Sequence, residues 1–251
     1  MIEKTFRLTA AAGLIVGACF AQAAGATEFV GNLVLKPAGC EAGGSCKLGE
    51  DFGFVDAKGI GWQAAKGLVT DGASIPPWAQ PIVGGPFEEA FIKAAVIHDH
   101  YCDRRVRPWR QTHKVFYEAL LESGVPRGKA GIMYYAVMIG GPKWVKLIKG
   151  RPCPVGQSCI NTFDVSASLP GSAVAVGDSF SMILARPDEY GSARFANAMA
   201  QNLTALEQAG DMLTSEQVEE MATKVMKDDF YFKNEDEVGA SPTLPSFAPQ
   251  Q

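Results

Sequence analysis

The first third of the chain carries a strand-like pattern of hydrophobic and polar positions. Apolar and polar residues alternate from Phe29 to Lys36, as on a strand with one buried face. Residues 52–69 carry glycines and aromatic side chains suited to one or two further strands. A turn-rich loop with four prolines follows over residues 70–86. The pattern therefore predicts a small N-terminal β-sheet and then a long loop.

Helical spacing replaces the strand pattern after this loop. Turns that contain proline or glycine divide the region into three predicted helices, at about Phe87–Cys102, Gln111–Ser123 and Gly128–Ile139. The first two are joined by a short basic turn, so we expect them to pack as an antiparallel hairpin. The third is apolar on all sides from Ile132 to Ile139, which predicts a position deep in the core.

The pattern changes again in the last third of the chain. Residues 173–184 suit one or two strands, and two polar amphipathic helices are predicted at Ala193–Ala209 and Ser215–Lys227, with Thr214 or Ser215 as a cap. The acidic and then Ser/Pro-rich end of the chain predicts disorder.

Together these elements predict an α+β fold with a small N-terminal β-sheet, a central helical hairpin core and a mostly helical C-terminal extension. The predicted units are a signal peptide, a core domain, a helical extension and a disordered tail, over residues 1–26, 27–164, 165–232 and 233–251.

The N-terminus has the features of an export signal. Lys4 and Arg7 precede an uncharged stretch rich in Ala, Leu, Ile and Val, and small residues then fit signal peptidase cleavage after Ala23 or, preferably, after Ala26. We therefore expect a periplasmic or secreted protein. Lipid anchoring at Cys19 is the alternative, because the four residues before it form a passable lipoprotein cleavage site.

Charge and hydropathy exclude two classes of protein. The chain of 251 residues has 23 basic and 27 acidic side chains and a net charge of -4, so it lacks the bulk positive field that attracts nucleic acid. Beyond the N-terminus no apolar run approaches the roughly 18 residues that a membrane-spanning helix needs. We expect no nucleic-acid partner and no transmembrane helix in the mature chain.

The cysteines form two similar loops and leave one residue over. Five of the six cysteines remain once the predicted signal is removed. Cys40 and Cys46 enclose five small turn-forming residues, and so do Cys153 and Cys159. In an oxidising compartment two local disulfides are the expected outcome, with a zinc site built from all four as the weaker alternative. The odd cysteine is then Cys102.

The three histidines of the chain, at positions 98, 100 and 113, fall within sixteen residues. Helical geometry places His98 on the same face as Phe91, and Cys102 follows it one turn later. His113 lies on the apolar face of the second helix, at a similar distance from the connecting turn, so the two imidazoles can meet. His100 points elsewhere, because two residues correspond to roughly 200° around a helix.

Two chemistries suit this cluster. In one, His98 is a general base that activates water, while the carboxylate of Asp99 holds a hard cation such as calcium. In the other, His98, Cys102 and His113 are three ligands of a zinc ion and leave its fourth position for water. The zinc hypothesis gives the unpaired cysteine a role. The calcium hypothesis accounts better for the residues that precede the first helix. A hydrogen-bonded core without catalytic function is a third interpretation.

The upstream residues carry a resemblance to a known family. Residues 70–76 read TDGASIP, an apolar helix follows, and it ends in the pair His98-Asp99 with Tyr101 close by. This resembles an uncharacterised family of bacterial and phage proteins, and the second helix with the turn of residues 124–126 also fits its pattern. The resemblance covers about residues 61–144 and implies no particular activity.

A more distant similarity is to the small secreted bacterial phospholipases A2. It implies that Asp71 and Asp99 bind calcium and that His98 activates the attacking water. His113 stands where the family has a carboxylate that orients the histidine, and Ile97 stands where it has a cysteine. Catalytic residues on this resemblance are His98, Asp99 and, in altered form, His113.

The functional expectation follows from the similarity and from a group of arginines. Four arginines surround Trp109 in the turn between the first two helices. The turn is either a solvated surface or a site that attracts anionic lipid or another cell-envelope polymer, with Trp109 then expected at the interface. The leading hypothesis is an exported metal-assisted hydrolase that acts on lipid or another envelope substrate. The alternative is a non-catalytic envelope or phage-derived structural module.

Overall fold

The structure is a computed structural model, and it describes residues 25–37, 44–70, 72, 84–85, 88, 90–149, 172–175, 182–234 and 237–240. Most of the predicted signal peptide and most of the loop after residue 70 lie outside the described residues. So do four residues singled out from the sequence: Asp71, Cys40, Cys153 and Cys159.

The N-terminal strands form two small antiparallel sheets. The first has the order β1-β4-β5, with β1 at Glu28–Val30, β4 at Phe52–Val55 and β5 at Gly61–Ala64. The second has the order β2-β3-β6, with β2 at Leu35–Lys36, β3 at Cys46–Leu48 and β6 at Val69–Thr70. In the first sheet Phe54 is opposite Trp62, and both side chains are buried. Their burial anchors this sheet to the core.

Three helices follow and form the central core. They are α1 at Ile92–Arg104, α2 at Trp109–Glu122 and α3 at Arg127–Gly140. Proline immediately precedes α2 and α3, at Pro108 and Pro126, where its fixed φ suits the start of a helix. The first helix begins five residues later than the sequence predicts, because Ala90 and Phe91 form a turn instead.

A four-stranded sheet connects the core to the end of the chain. Its order is β10-β7-β9-β8, and its strands are Glu237–Ala240 (β10), Lys143–Lys149 (β7), Met182–Arg186 (β9) and Ser172–Ala175 (β8). Only the β10 pair with β7 is parallel in it. β10 lies in the tail for which the sequence predicts disorder, and its pairing with β7 is a contact between residues about ninety positions apart.

The last helices pack on α3 at two glycines of that helix, where a larger side chain would not fit. They are α4 at Ala193–Ala209, a 3-10 turn at Gly210–Met212, α5 at Ser215–Val225 and α6 at Phe230–Lys233. A Cβ atom at Gly131 would lie 2.4 Å from the Leu213 side chain, and one at Gly128 would lie 2.9 Å from the Gly210 backbone. Thr214 caps α5 in a capping box with Gln217, as the sequence predicts for this position.

One hydrophobic core extends through the described residues from Leu48 in β3 to Tyr231 in α6. Most of the α3 residues between Ile132 and Ile139 are buried in it, which confirms the prediction of a central helix. The α+β fold, with N-terminal sheets, a helical core and C-terminal helices, is also confirmed. Within the described ranges, no helix combines the length and apolar character needed to cross a bilayer.

Candidate metal centre

Three potential metal ligands from α1 and α2 converge in the core. His98 Nε2 lies 2.9 Å from His113 Nδ1 and 3.4 Å from Cys102 Sγ. One donor atom from each of the three residues lies within 4.8 Å of the other two. The side chains are 6%, 8% and 0% exposed for His98, Cys102 and His113. Two imidazoles and a thiol are thus gathered in a buried site.

Local sequence explains why these groups meet. His98 and Cys102 are four residues apart on α1 and so project from one face. Pro108 starts α2 directly after a short turn and places His113 in its first turns, opposite His98. Phe116, one turn after His113, packs on His98 with ring centroids 4.8 Å apart. The helical periodicity therefore predicts this meeting correctly.

The outer nitrogens of the two imidazoles face different partners. His98 Nδ1 lies 3.3 Å from the carboxylate of Asp99, which is the most exposed member of the group at 32%. His113 Nε2 is buried against the turn after α3, where a Cβ atom on Gly141 would lie 3.0 Å from it. The Pro142 carbonyl favours a proton on this ring and raises the pKa, although no described residue completes a well-formed hydrogen bond to Nε2.

Burial favours the uncharged forms of His113 and Cys102. It lowers the pKa of His113 well below its usual range, and the nearby charges of His98 and Lys143 lower it further. Burial also raises the pKa of the Cys102 thiol well above its usual range, with a smaller contribution from Asp99. A neutral imidazole is the form that binds a metal, and a bound cation would favour the thiolate.

Histidine nitrogen and cysteine sulfur are the donors that zinc prefers in proteins. Three such donors are also the number found in catalytic zinc sites. By its chemistry the cluster can therefore hold a transition-metal ion. Asp99 is placed like a carboxylate that orients a metal-bound histidine through its other nitrogen.

The structure separates the other residues singled out from the sequence. His100 is buried and packs edge-on against Tyr101, away from His98, as the helical angle predicts. Asp71 lies outside the described residues, so the calcium pair of Asp71 and Asp99 stays a prediction. Cys46 is disulfide-bonded and Cys102 is a free, buried thiol.

The expectation of an interfacial tryptophan between α1 and α2 is wrong. Trp109 is fully buried and packs edge-on against His113. Arg107 stacks on Trp62 at 4.1 Å and donates to the Gly61 carbonyl, and Arg110 donates to the carbonyls of Tyr231 and Phe232. Two of the four arginines therefore serve the fold, because their guanidinium groups bridge segments distant in sequence.

Sequence reasoning missed the turn between α3 and β7. Gly141 and Pro142 border His113, and the buried Lys143 follows at the start of β7. The signal for it was the run Gly-Gly-Pro-Lys directly after an apolar helix, where a lysine is unexpected next to a buried strand.

Comparison with known proteins yields a family and two relatives. A family model described as "Protein of unknown function (DUF1353)" matches residues 46–137. The uncharacterized protein y4iH of Sinorhizobium fredii is 42% identical over 174 residues, which cover 68% of this chain and 67% of the relative. The uncharacterized protein y4jT of the same organism is 35% identical over 215 residues, which cover 80% of this chain and 61% of the relative. The chain thus spans about two thirds of the length of these curated relatives. No solved structure matches it.

Proposed function

Because this chain belongs to the DUF1353 family of proteins of unknown function, we propose a function from the site itself. In this proposal the protein is an exported zinc-dependent hydrolase whose metal is held by His98, Cys102 and His113. The observation that carries the proposal is the convergence of these three donors, with Asp99 behind one imidazole and the Gly141–Pro142 backbone behind the other.

The proton positions on the two imidazoles support a cation between them. With both rings neutral and a proton on His98 Nδ1 serving Asp99, His113 has two possible tautomers. A proton on His113 Nε2 leaves the two inner nitrogens facing each other as acceptors, and a proton on His113 Nδ1 serves His98 Nε2. That arrangement leaves His113 Nε2 as a bare acceptor beside the Pro142 carbonyl, which is also an acceptor. When both inner nitrogens bind a cation instead, His113 carries its proton on Nε2, where the carbonyl favours it, and His98 still donates to Asp99.

The donor types favour zinc over calcium. Calcium prefers six to eight oxygen ligands, whereas imidazole and thiolate select zinc and related metals. Of the two carboxylates of the calcium hypothesis, Asp99 belongs to the described part of the chain, and its oxygen faces His98.

The number of ligands supports hydrolysis as the proposed reaction. The described residues supply three donors, which leaves a fourth position for water. Zinc bound there supplies Lewis acidity and lowers the pKa of a bound water to about 7. Asp99 holds the His98 imidazole in one orientation. Asp99 is also partly exposed, so the cluster approaches solvent on its side. The export signal read from the sequence supports a substrate in the cell envelope, with lipid as the first class to test.

A second candidate rests on the burial of the donors. All three side chains are less than a tenth exposed, which also suits a closed metal site with a structural role. In that case the protein is a non-catalytic module of the envelope, and the ion only stabilises the α1–α2 hairpin.

Metal binding is tested on the full chain with single-donor variants and a matched control. We expect about one equivalent of zinc after dialysis, and a thiolate-to-metal absorption band when cobalt(II) replaces zinc. His98→Ala, Cys102→Ser and His113→Ala should each lose both signals. His100→Ala should keep them, because His100 is a buried histidine on the same helix that faces away from the site. Wild-type protein that binds neither metal would overturn the proposal.

Catalysis is tested separately with defined substrates. Zinc-loaded protein should hydrolyse phosphatidylglycerol vesicles or a soluble carboxylic ester, and a chelator or His113→Ala should abolish the reaction. Stoichiometric zinc without turnover of either substrate would favour the structural module over the hydrolase.

A further inference from the structure

Lys143 is an unusual residue in the core next to the candidate metal centre. Its side chain is fully buried at the start of β7, directly after the turn that borders His113. Burying an ammonium group without a partner is costly, and a lysine is fully buried only rarely. A purely apolar side chain would fill the same space without this penalty, so the amine needs an explanation.

The amine of Lys143 ties together the turn between α3 and β7. Nζ donates to the carbonyls of Ile139 and Gly141, at 3.1 and 3.0 Å. These carbonyls belong to the end of α3, where helical hydrogen bonding leaves acceptors without partners. One side chain thus closes the end of the helix and fixes the direction of the chain that follows it.

The fixed turn lies directly against His113. A Cβ atom at Gly141 would lie 2.5 Å from the Val137 carbonyl and 3.0 Å from His113 Cε1 and Nε2, so only glycine allows this approach. The φ of Gly141 is −68°, which any residue adopts, and the glycine is therefore required by space and not by backbone conformation. Glu189 N donates to the Gly140 carbonyl at 2.7 Å and holds the turn from the opposite side.

We propose that Lys143 is a positioning residue of the metal centre. By holding the Gly141 carbonyl, it keeps the Gly141–Pro142 backbone against His113, so that the imidazole keeps its proton on Nε2 and directs the Nδ1 lone pair toward His98 and Cys102. This inference rests on the proposed zinc site. Residues that orient a metal-bound histidine typically contribute 10- to 100-fold to metal affinity, by the general experience with such partners.

The test uses Lys143→Met, which keeps the length and burial of the side chain but has no donor. We expect cobalt(II) affinity, measured by competition with a chelator, to fall about 10- to 100-fold. Leu206→Ala is the control, because Leu206 is also fully buried and lies on α4, away from the turn. It should lose stability but keep the wild-type affinity.

A second measurement separates this inference from the zinc proposal. Nitrogen-15 NMR of the metal-free protein reports which nitrogen of His113 carries the proton. Lys143→Met should reduce the fraction protonated on Nε2, whether or not the wild type binds a metal. Wild-type protein without metal affinity would end the zinc proposal, and the tautomer shift would still decide the role of Lys143.

Unchanged affinity together with an unchanged tautomer in Lys143→Met would overturn the inference. Should this variant not fold, Lys143→Gln takes its place, because its amide keeps an N–H donor on a shorter side chain. A smaller loss of affinity is then expected, and wild-type affinity with the wild-type tautomer would again overturn the proposal.

Discussion

The cluster around Arg186 and the cluster of His98, Cys102 and His113 lie in the same hydrophobic core but handle their polar groups differently. Arg186 Nη1 is 2.5 Å from Asp229, Arg194 Nη2 is 2.7 Å from the same carboxylate, and Arg186 Nε is 3.5 Å from Glu189. Burial alone would raise the pKa of Asp229, but hydrogen bonds from Arg186 and Arg194 outweigh it and leave the pKa lowered.

The histidine cluster presents converging donor atoms in place of the paired charges of the Arg186 cluster. Burial favours the neutral forms of His113 and Cys102, and their donor atoms converge with that of His98. The carboxylate of Asp99 lies near the outer nitrogen of His98. Charges that neutralise each other within the fold need no ligand, so the Arg186 cluster serves structure. Converging nitrogen and sulfur donors suit a bound cation, and this difference is the reason why we propose a metal site at the histidine cluster.

Breaking the balanced cluster should have the largest effect on stability. Asp229→Ala leaves the buried Arg186 without its main partner and should lower the free energy of unfolding by about 3–5 kcal/mol. Chemical denaturation measures this loss. Asp228→Ala is the control, because the neighbouring Asp228 is 80% exposed in its pair with Lys233 and should change stability by less than about 1 kcal/mol. Equal losses in the two variants would contradict the comparison.

Zinc should stabilise only those variants that keep an intact histidine cluster. At a free zinc concentration 100 times the dissociation constant, the free energy of unfolding should rise by about 2.7 kcal/mol. Asp229→Ala should keep this increment, since its own defect lies outside the donor set, whereas His113→Ala should lose it. Thermal unfolding with zinc and with chelator measures both, and the same increment in His113→Ala would contradict the assignment.

A smaller effect should appear in the pH dependence of stability, through the lysine between the two clusters. Burial, followed by the charge of Arg186, lowers the pKa of Lys143 to about 7, against 10.5 for an ordinary lysine. Between these values the unfolded chain binds more protons, so stability should rise with pH, by at most about 1.4 kcal/mol per pH unit.

This slope is measured on metal-free protein from pH 7 to about 8.5, where an ordinary lysine stays protonated. The difference between wild type and Lys143→Met isolates the lysine, because all other groups are shared. Lys143→Met should show the flatter curve. Parallel curves would mean that Lys143 does not change its protonation on folding.

The part of the site that could be predicted from the sequence is local. His98, Cys102 and His113 lie within sixteen residues, and helical periodicity with one short turn suffices to bring them together. The resemblance to a family of unknown function is confirmed as well. The similarity to phospholipases A2, the calcium pair and the disulfides within the two cysteine loops stay predictions.

What was missed depends on contacts between distant segments. Lys143 is opposite Arg186 in the β7–β9 register, and Asp229 reaches both from the residue before α6. The periodicity of one segment cannot show that residues from distant segments lie next to each other. The burial of Trp109 was missed for a similar reason. Phe232, which packs on Trp109, lies more than a hundred residues later in the chain.

Local sequence patterns were enough to predict the helices of the core, the capping of α5 and the pairing of donors across the α1–α2 hairpin, because each depends on residues within a few turns of one another. The orientation of these donors depends on contacts from distant parts of the chain. These contacts come from the Gly141–Pro142 turn, from the buried Lys143 and from the Arg186 cluster. All three lie at or next to a sheet whose strands come from distant parts of the chain. Side-chain burial and proton position depend on everything packed around a group, and that packing is a property of the whole fold.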